Sequence, residues 1–313
     1  MHRHHAPEAT DLAIPDLTAR IGHTPLVPIA GLDLPDGVAV LGKLESANPG
    51  GSVKDRAAWA IIQAAERDGS LAGGRRLLDA TSGNTGIAYA WIGARRGIGV
   101  TLCLPGNANV ERRRLIAALG AEIVPTDPME GTDGAIRAAR GLARRHPQRY
   151  FHADQYANPA NWLAHYHGTA VEIWEQTEGR ITHLVAGIGT SGTLVGCARR
   201  LREFDPAIEV IAVQPDGPLH ALEGLKHLPS ALVPPIYDPS VHRRTLAIAS
   251  EEAIATVKAQ ARAGLLLGWS AGAAVAAAAR VARGLESGVV VCVLPDGAER
   301  YLSDPLWDAE GAA

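Results

Sequence analysis

Cysteine is scarce in this chain: three in 313 residues, at positions 103, 197 and 292. Separations of 94 and 95 residues match no zinc or redox spacing. An odd number with no secretion signal fits a reducing compartment, the cytoplasm. Cys103 in TLCLP and Cys292 in VVVCVLP sit in apolar stretches that read as buried strands, so these thiols are expected to be neutral and inert. No apolar run reaches the roughly 18 residues of a membrane helix, so no membrane partner is expected. The opening MHRHHAPEAT has no apolar segment of the signal-peptide kind and reads as a loose extension. Charge of one sign is also missing. Lys plus Arg number 30 against 33 for Asp plus Glu, a net charge of −3, which argues against broad nucleic-acid binding. The closest histidines inside the chain, His165 and His167, are two apart and would face different ways on a helix, so no metal site is expected.

What is present is the composition of a globular protein, 47% apolar and 20% charged. The 34 glycines and 20 prolines are many for a helical bundle and natural for an α/β protein with sharp crossings. The length suits two closely packed lobes. Short apolar strands alternate with longer helical segments. VAVLGKLE (38–45) reads as a strand and 55–69 as a helix, with Ala58, Ile61, Ile62 and Ala65 on one face. RRLLDA leads into a glycine loop at 81–86, with a helix from about Ile87 to about 96. GVTLCLP, a helix over 109–119, AEIVPT, a helix over 133–145 and RYFHA follow. Pro159 opens a helix towards Glu175. THLVAG, a helix from about 191, and IEVIAVQP repeat the unit. The Pro- and His-rich stretch 215–245 reads as surface loop. A helix over 250–263, LLLGW, an alanine-rich helix over 271–284 and GVVVCVLP complete the series. Strand then helix, repeated, implies parallel strands with helices on both faces, in two units with a seam near 155–160 and a site between them.

Three segments carry chemistry: SANPGGSVKDR (46–56), TSGNTG (81–86) and GIGTSGTLVG (187–196). The third lies between a strand and a helix. Gly187, Gly189 and Gly192 permit tight curvature, and Thr190, Ser191 and Thr193 add hydroxyls beside free N–H groups at a helix start. That describes a phosphate cradle, or a structural turn. It lacks the nucleoside-triphosphate loop spacing and the acidic residue of a dinucleotide fold. Only four of the 30 basic residues are lysines: Lys43, Lys54, Lys226 and Lys258. A lysine at the start of a helix, where a cation is electrostatically poor, points to a need for the amine itself. TSGNTG offers hydroxyls, an amide and backbone N–H groups suited to a carboxylate. A reactive amine, a phosphate cradle and a carboxylate nest are the parts of an enzyme that carries pyridoxal phosphate and acts on an amino acid.

At this point the chain resembles the cysteine synthase and cystathionine β-synthase family of pyridoxal-phosphate enzymes, with the tryptophan-synthase β fold (fold type II). The resemblance runs from about Ile21 to Leu302 through IGHTPLV, ESANPGGSVKDR, TSGNTGIA, YANPAN (156–161), AGIGTSGTLVG, GWSAGA and LPDGAERYLS, in family order. It implies that Lys54 holds pyridoxal 5'-phosphate and moves the substrate α-proton, and that Asn84 bonds the pyridine hydroxyl oxygen. Thr81, Ser82, Asn84 and Thr85, helped by Gln155, would grip the substrate carboxylate. Gly189, Thr190, Ser191, Gly192 and Thr193 would hold the cofactor phosphate. It further implies a homodimer of two-domain subunits: an N-terminal segment (1–46) packed on the second domain, a smaller mobile domain (47–158) and a larger one (159–313). The implied reaction is β-replacement on O-acetylserine or O-phosphoserine with sulfide, or a sulfur donor such as a sulfur-carrier protein, to give cysteine.

NANVERRRLI (107–116) and VPPIYDP (233–239) resemble the short cysteine synthase M branch. There a basic residue near the cleft serves O-phosphoserine, and Lys226 falls at that position; it reads equally as a solvated loop lysine. Gly297 takes the place of a serine that many members set beside the pyridine nitrogen, with Asp296 next to it. Trp269 is bulkier than usual and either trims the pocket or fills a gap. Three other readings stay open: the same chemistry with another nucleophile (a diaminopropionate-, cyanoalanine- or cystathionine-type synthase), a non-catalytic partner-binding protein on the same fold, and a nicotinamide-dependent oxidoreductase. The last leaves Lys54 and TSGNTG without work.

Overall fold

The computed structural model describes residues 16–81 and 83–308. The N-terminal extension and Ser82 lie outside them. Two sheets organise the chain. The larger has the order β1-β2-β10-β7-β8-β9 and the smaller β5-β4-β3-β6. The larger comprises β1 (Leu26–Pro28), β2 (Val38–Leu44), β7 (His183–Gly187), β8 (Glu209–Pro215), β9 (Arg244–Ile248) and β10 (Gly288–Leu294). The smaller comprises β3 (Arg76–Ala80), β4 (Val100–Pro105), β5 (Glu122–Thr126) and β6 (Tyr150–His152). All pairings are parallel except β1 with β2. The expectation of parallel strands holds for the other pairs and is corrected only at this one: β1 is a three-residue edge strand ending in proline, and its antiparallel pairing needs no crossover. β9 is a second correction, since it begins inside the stretch read as loop. Its RTLAI segment is mostly exposed at the sheet edge and lacks the apolar run of a central strand. β10, by contrast, is flanked on both sides and buried from Val290 to Leu294.

The helices cover these sheets. α1 (Lys54–Arg67) buries Ala58, Ile61, Ile62 and Ala65, the face that the periodicity gives. Each fully buried isoleucine contributes about 1.5–3 kcal/mol. α2 (Asn84–Arg96) starts three residues earlier than the glycine-rich loop suggested, so Asn84 is its first residue. α3 (Val110–Ala118) and α4 (Gly131–Arg145) complete the smaller unit. α5 (Pro159–Ala164) has Asn158 as cap, its side chain accepting from the Ala160 N–H, and Pro159 as first residue. It continues through a π-helical turn, His165–Thr169, into α6 (Ala170–Gln176). α7 (Gly192–Phe204) follows β7. α8 (Ser250–Arg262) and the alanine-rich α9 (Trp269–Ala282) lie side by side. A Cβ on Gly272 would strike Val257 and the Ala253 carbonyl, so small residues are what bring the two helices together. Trp269 is buried in that core against Tyr301 and Trp307, and its Nε1 donates to Asp304. It fills a gap and does not line the cleft.

Candidate active site

The two sheets face each other across a cleft of about 570 Å³. Its walls include Lys54, Thr81, Asn84, Thr85, Gln155, Gly189, Thr190 and Lys226. Residues from three sequence segments and both sheets therefore meet in one place. Ser191, Gly192, Thr193 and Gly297 are not among the lining residues.

Lys54 opens α1. The loop before it is stitched to the end of β10: the Val53 N–H donates to the Pro295 carbonyl at 2.8 Å, and Ser52 bridges Asp296. Burial pushes the Lys54 amine below the ordinary lysine value, while the Asp296 carboxylate pushes back. A lysine pushed towards neutrality can act as nucleophile and as base. Two residues on, Arg56 anchors the helix. Its guanidinium bonds Glu45 at 2.7 Å and Glu172 at 2.6 Å, and Lys43 reaches Glu172 at 2.7 Å. Burial works against charge on Glu172, yet Arg56 and Lys43 hold its carboxyl well below the usual range. Lys43 is thus structural.

The segment read as a carboxylate nest leads into the start of α2. Thr81 Oγ1 accepts from the Gly83 N–H at 2.9 Å and Thr85 Oγ1 donates to Gln155 Oε1 at 2.7 Å. Gln155 Nε2 donates to the Ala80 carbonyl at 2.6 Å. Asp79, buried beneath, accepts from the backbone N–H groups of Ala80 (2.8 Å) and Gln155 (3.1 Å) and so fixes both sides of the nest. Burial pushes the Asp79 carboxyl up to about 7. Asn84 Nδ2 donates to Asp296 Oδ2 at 2.7 Å, and the Tyr301 hydroxyl donates to the same oxygen at 2.6 Å.

The turn at 189–193 is tightly constrained. A Cβ on Gly189 would strike the Gly224 carbonyl oxygen and one on Gly192 would strike Asn161. Ser191 sits in the left-handed region at φ 69°, unusual for a residue with a side chain. Asn161 Nδ2 donates to both the Gln155 carbonyl (2.7 Å) and Thr190 Oγ1 (3.0 Å), linking the nest to the turn. His165 Nε2 lies 3.2 Å from Thr193 Oγ1, and its Nδ1 lies 2.9 Å from Thr169 Oγ1. Burial, reinforced by Arg56 and Lys54, drives its pKa well down, so the imidazole is neutral. His165 is buried and His167 exposed, on different faces.

Pyridoxal phosphate fits these residues. Among the described residues, Asn84 Oδ1, Ser191 Oγ and Asp296 Oδ1 are buried without a hydrogen-bond partner, and such orphans mark places where a bound polar group completes the set. The first N–H groups of α7 also point from the turn without helical acceptors. At Gly297 the space of a side chain is taken by the Glu299 carboxylate. Sequence reasoning missed Asp79, Asn161 and His165, which act on the site through neighbours. It also missed Arg112 and Asp133, which line it. Asn161, inside YANPAN, and Arg112, inside NANVERRRLI, lie in segments that carried a sequence signal.

Fold and cleft define a two-domain α/β enzyme of the pyridoxal-phosphate fold type II. The chain matches the family model described as "Pyridoxal-phosphate dependent enzyme" over residues 17–296. It is 48% identical over 295 residues to a cysteine synthase of Aquifex aeolicus, covering 92% of this chain and 90% of that protein. It is 40% identical over 295 residues to cysteine synthase B of Escherichia coli, covering 94% and 96%. The crystal structure of a cysteine synthase from Entamoeba histolytica superposes with a TM-score of 0.91 at 33% identity, covering 100% of this chain and 96% of that one. The chain belongs to the pyridoxal-phosphate-dependent enzyme family, in its cysteine synthase and cystathionine β-synthase branch.

Proposed function

We propose that this enzyme catalyses β-replacement on an activated L-serine, O-acetylserine or O-phosphoserine, with sulfide or another sulfur donor, to give L-cysteine. The observation that carries the reading is the meeting of Lys54 with Thr81, Asn84 and Thr85 and with Gly189 and Thr190 around one cleft. Bound pyridoxal phosphate would supply an electrophilic aldehyde and a ring that takes up charge developing at the substrate α-carbon. Lys54 would carry the aldehyde, Asn84 its ring hydroxyl oxygen, and Ser191 with the N–H groups of α7 its phosphate. Thr81, Ser82, Thr85 and Gln155 would hold the substrate carboxylate so that the α-proton faces Lys54 Nζ. Lys54, displaced from the aldehyde by the substrate amine, takes that proton, the leaving group departs from the β-carbon, the nucleophile bonds to the β-carbon, and Lys54 returns the proton. A nucleophile larger than sulfide shares every step but the third, and a cleft of about 570 Å³ has room for it. The same reading makes 47–158 the mobile domain and the assembly a homodimer. It places the protein in a reducing cytoplasm, where three buried free thiols persist.

The test is direct. The purified protein should absorb visible light with cofactor bound, and reduction with borohydride should leave a pyridoxyl adduct on the Lys54 peptide. Addition of O-acetylserine should change the spectrum, and sulfide should restore it with release of cysteine. Lys54→Ala should lose the adduct and the turnover; a fully active Lys54→Ala enzyme would refute the role.

A further inference from the structure

Two long cations that line the cleft, Arg112 and Lys226, are both held by carboxylates from the opposite wall. Arg112, on α3, pairs with Glu223, which lies on the loop that follows β8. Lys226, on that same loop, pairs with Asp133 in the first turn of α4 at 2.7 Å. The second pair is well sheltered, with side-chain exposures of 9% and 24%, so it is not a solvent-screened rim contact. Both partners are fixed. The Lys226 backbone N–H donates to the Ile188 carbonyl at 2.7 Å, and its amine lies 5.5 Å from the Tyr156 ring centroid. Asp133 Oδ2 accepts from the Leu232 N–H at 2.8 Å, and the residue sits in the first turn of α4. Glu130 lines the same wall.

We infer that Asp133 is a positioning residue that selects the donor, because it occupies the Lys226 amine across the cleft and so makes an uncharged ester the preferred leaving group over a phosphate. The inference rests on the β-replacement reading for its meaning and deepens it by naming the donor class. A phosphate dianion can use Lys226 only as a point charge. To do so it must displace the Asp133 carboxylate or lie against it, with Glu130 and Glu223 on the same walls. An acetyl ester meets neither penalty. Specificity here comes from a repulsive group as much as from an attractive one.

The decisive measurement is calorimetric titration of the holoenzyme, its cofactor phosphate site filled, with inorganic phosphate. Asp133→Asn should bind phosphate at least about tenfold more tightly than the wild type, and Asp133→Asn/Lys226→Gln should lose that gain. Asp133→Ser serves as a second variant should the asparagine disturb α4. In steady state, the KM for O-phosphoserine relative to that for O-acetylserine should fall in Asp133→Asn by a similar factor. Wild-type phosphate affinity equal to that of both Asp133 variants, or a gain that survives Lys226→Gln, overturns the assignment. Failure of the wild type to turn over either donor would instead strike the β-replacement reading, while the phosphate titration would still report on Asp133.

Discussion

Asn84 Nδ2 and Asp296 Oδ2 are 212 residues apart in sequence and 2.7 Å apart in space. The bond ties the first residue of α2, in the smaller unit, to the residue two beyond the end of β10, a central strand of the larger. Tyr301 completes the arrangement on the same oxygen, and the Arg112 guanidinium lies 4.8 Å from the Tyr301 ring centroid. One carboxylate thus holds the nest, the end of the large sheet and the side of the cleft in register.

Replacing Asp296 by alanine strands the Asn84 amide and the Tyr301 hydroxyl. We expect a loss of about 2–4 kcal/mol in urea unfolding of the cofactor-free protein. Weaker cofactor binding should appear in a fluorescence titration. The Lys54 amine loses a favourable charge, so its pKa should fall further. Unchanged stability and cofactor affinity would show that Asp296 organises nothing.

Asp79 predicts a stability that declines with pH. Burial raises its carboxyl from 3.8 to about 7 in the folded protein. Between those values the folded state holds a proton that the unfolded chain has released, so stability falls as pH rises through this window. Asp55, pushed up to about 6 by burial, acts in the same direction. Asp79→Asn should flatten the dependence of the urea midpoint on pH from about 4 to 7 without abolishing it. A slope identical to the wild type would mean that Asp79 titrates as an ordinary carboxylate.

Gly189→Ala should weaken cofactor binding by about tenfold or more and destabilise the fold by about 1–3 kcal/mol. The added Cβ meets a backbone oxygen, that of Gly224, which cannot rotate aside. Gly217→Ala is the control, because nothing lies within 4 Å of a Cβ there. Equal behaviour of the two variants would contradict the close approach at the turn.

Arg56→Met removes the cation shared by Glu45 and Glu172. Glu45 is fully buried and would lose its guanidinium partner, so unfolding measurements should show a loss of about 3–5 kcal/mol. Arg56→Lys should recover only part of this, since one ammonium cannot bond both carboxylates as the guanidinium fork does. A neutral effect of Arg56→Met would mean that Lys43 alone suffices.

Much of this was legible in the residues. The succession of strands and helices followed from apolar periodicity, and Lys54 stood out because lysine is so rare here. Other parts were not. β1 is too short and β9 too exposed to announce themselves, since an edge strand is defined by what pairs with it and not by its own pattern. Arg112 belongs to a run of three arginines in which nothing local marks the one that is buried, yet it is 2% exposed. Asp133 looks like an ordinary residue of a helical first turn. Trp269 left two meanings open, and packing against Tyr301 and Trp307 chose one.

The sequence by itself determined the local chemistry: which apolar segments become central strands, where glycines let the backbone bend, and which amine opens α1. Those properties reside in a few consecutive residues. Tertiary structure decided the partners, Asn84 with Asp296, Gln155 with Asp79 and Lys226 with Asp133. A charged side chain states its sign in the sequence, but burial and the group set opposite it arise only when distant segments are packed together.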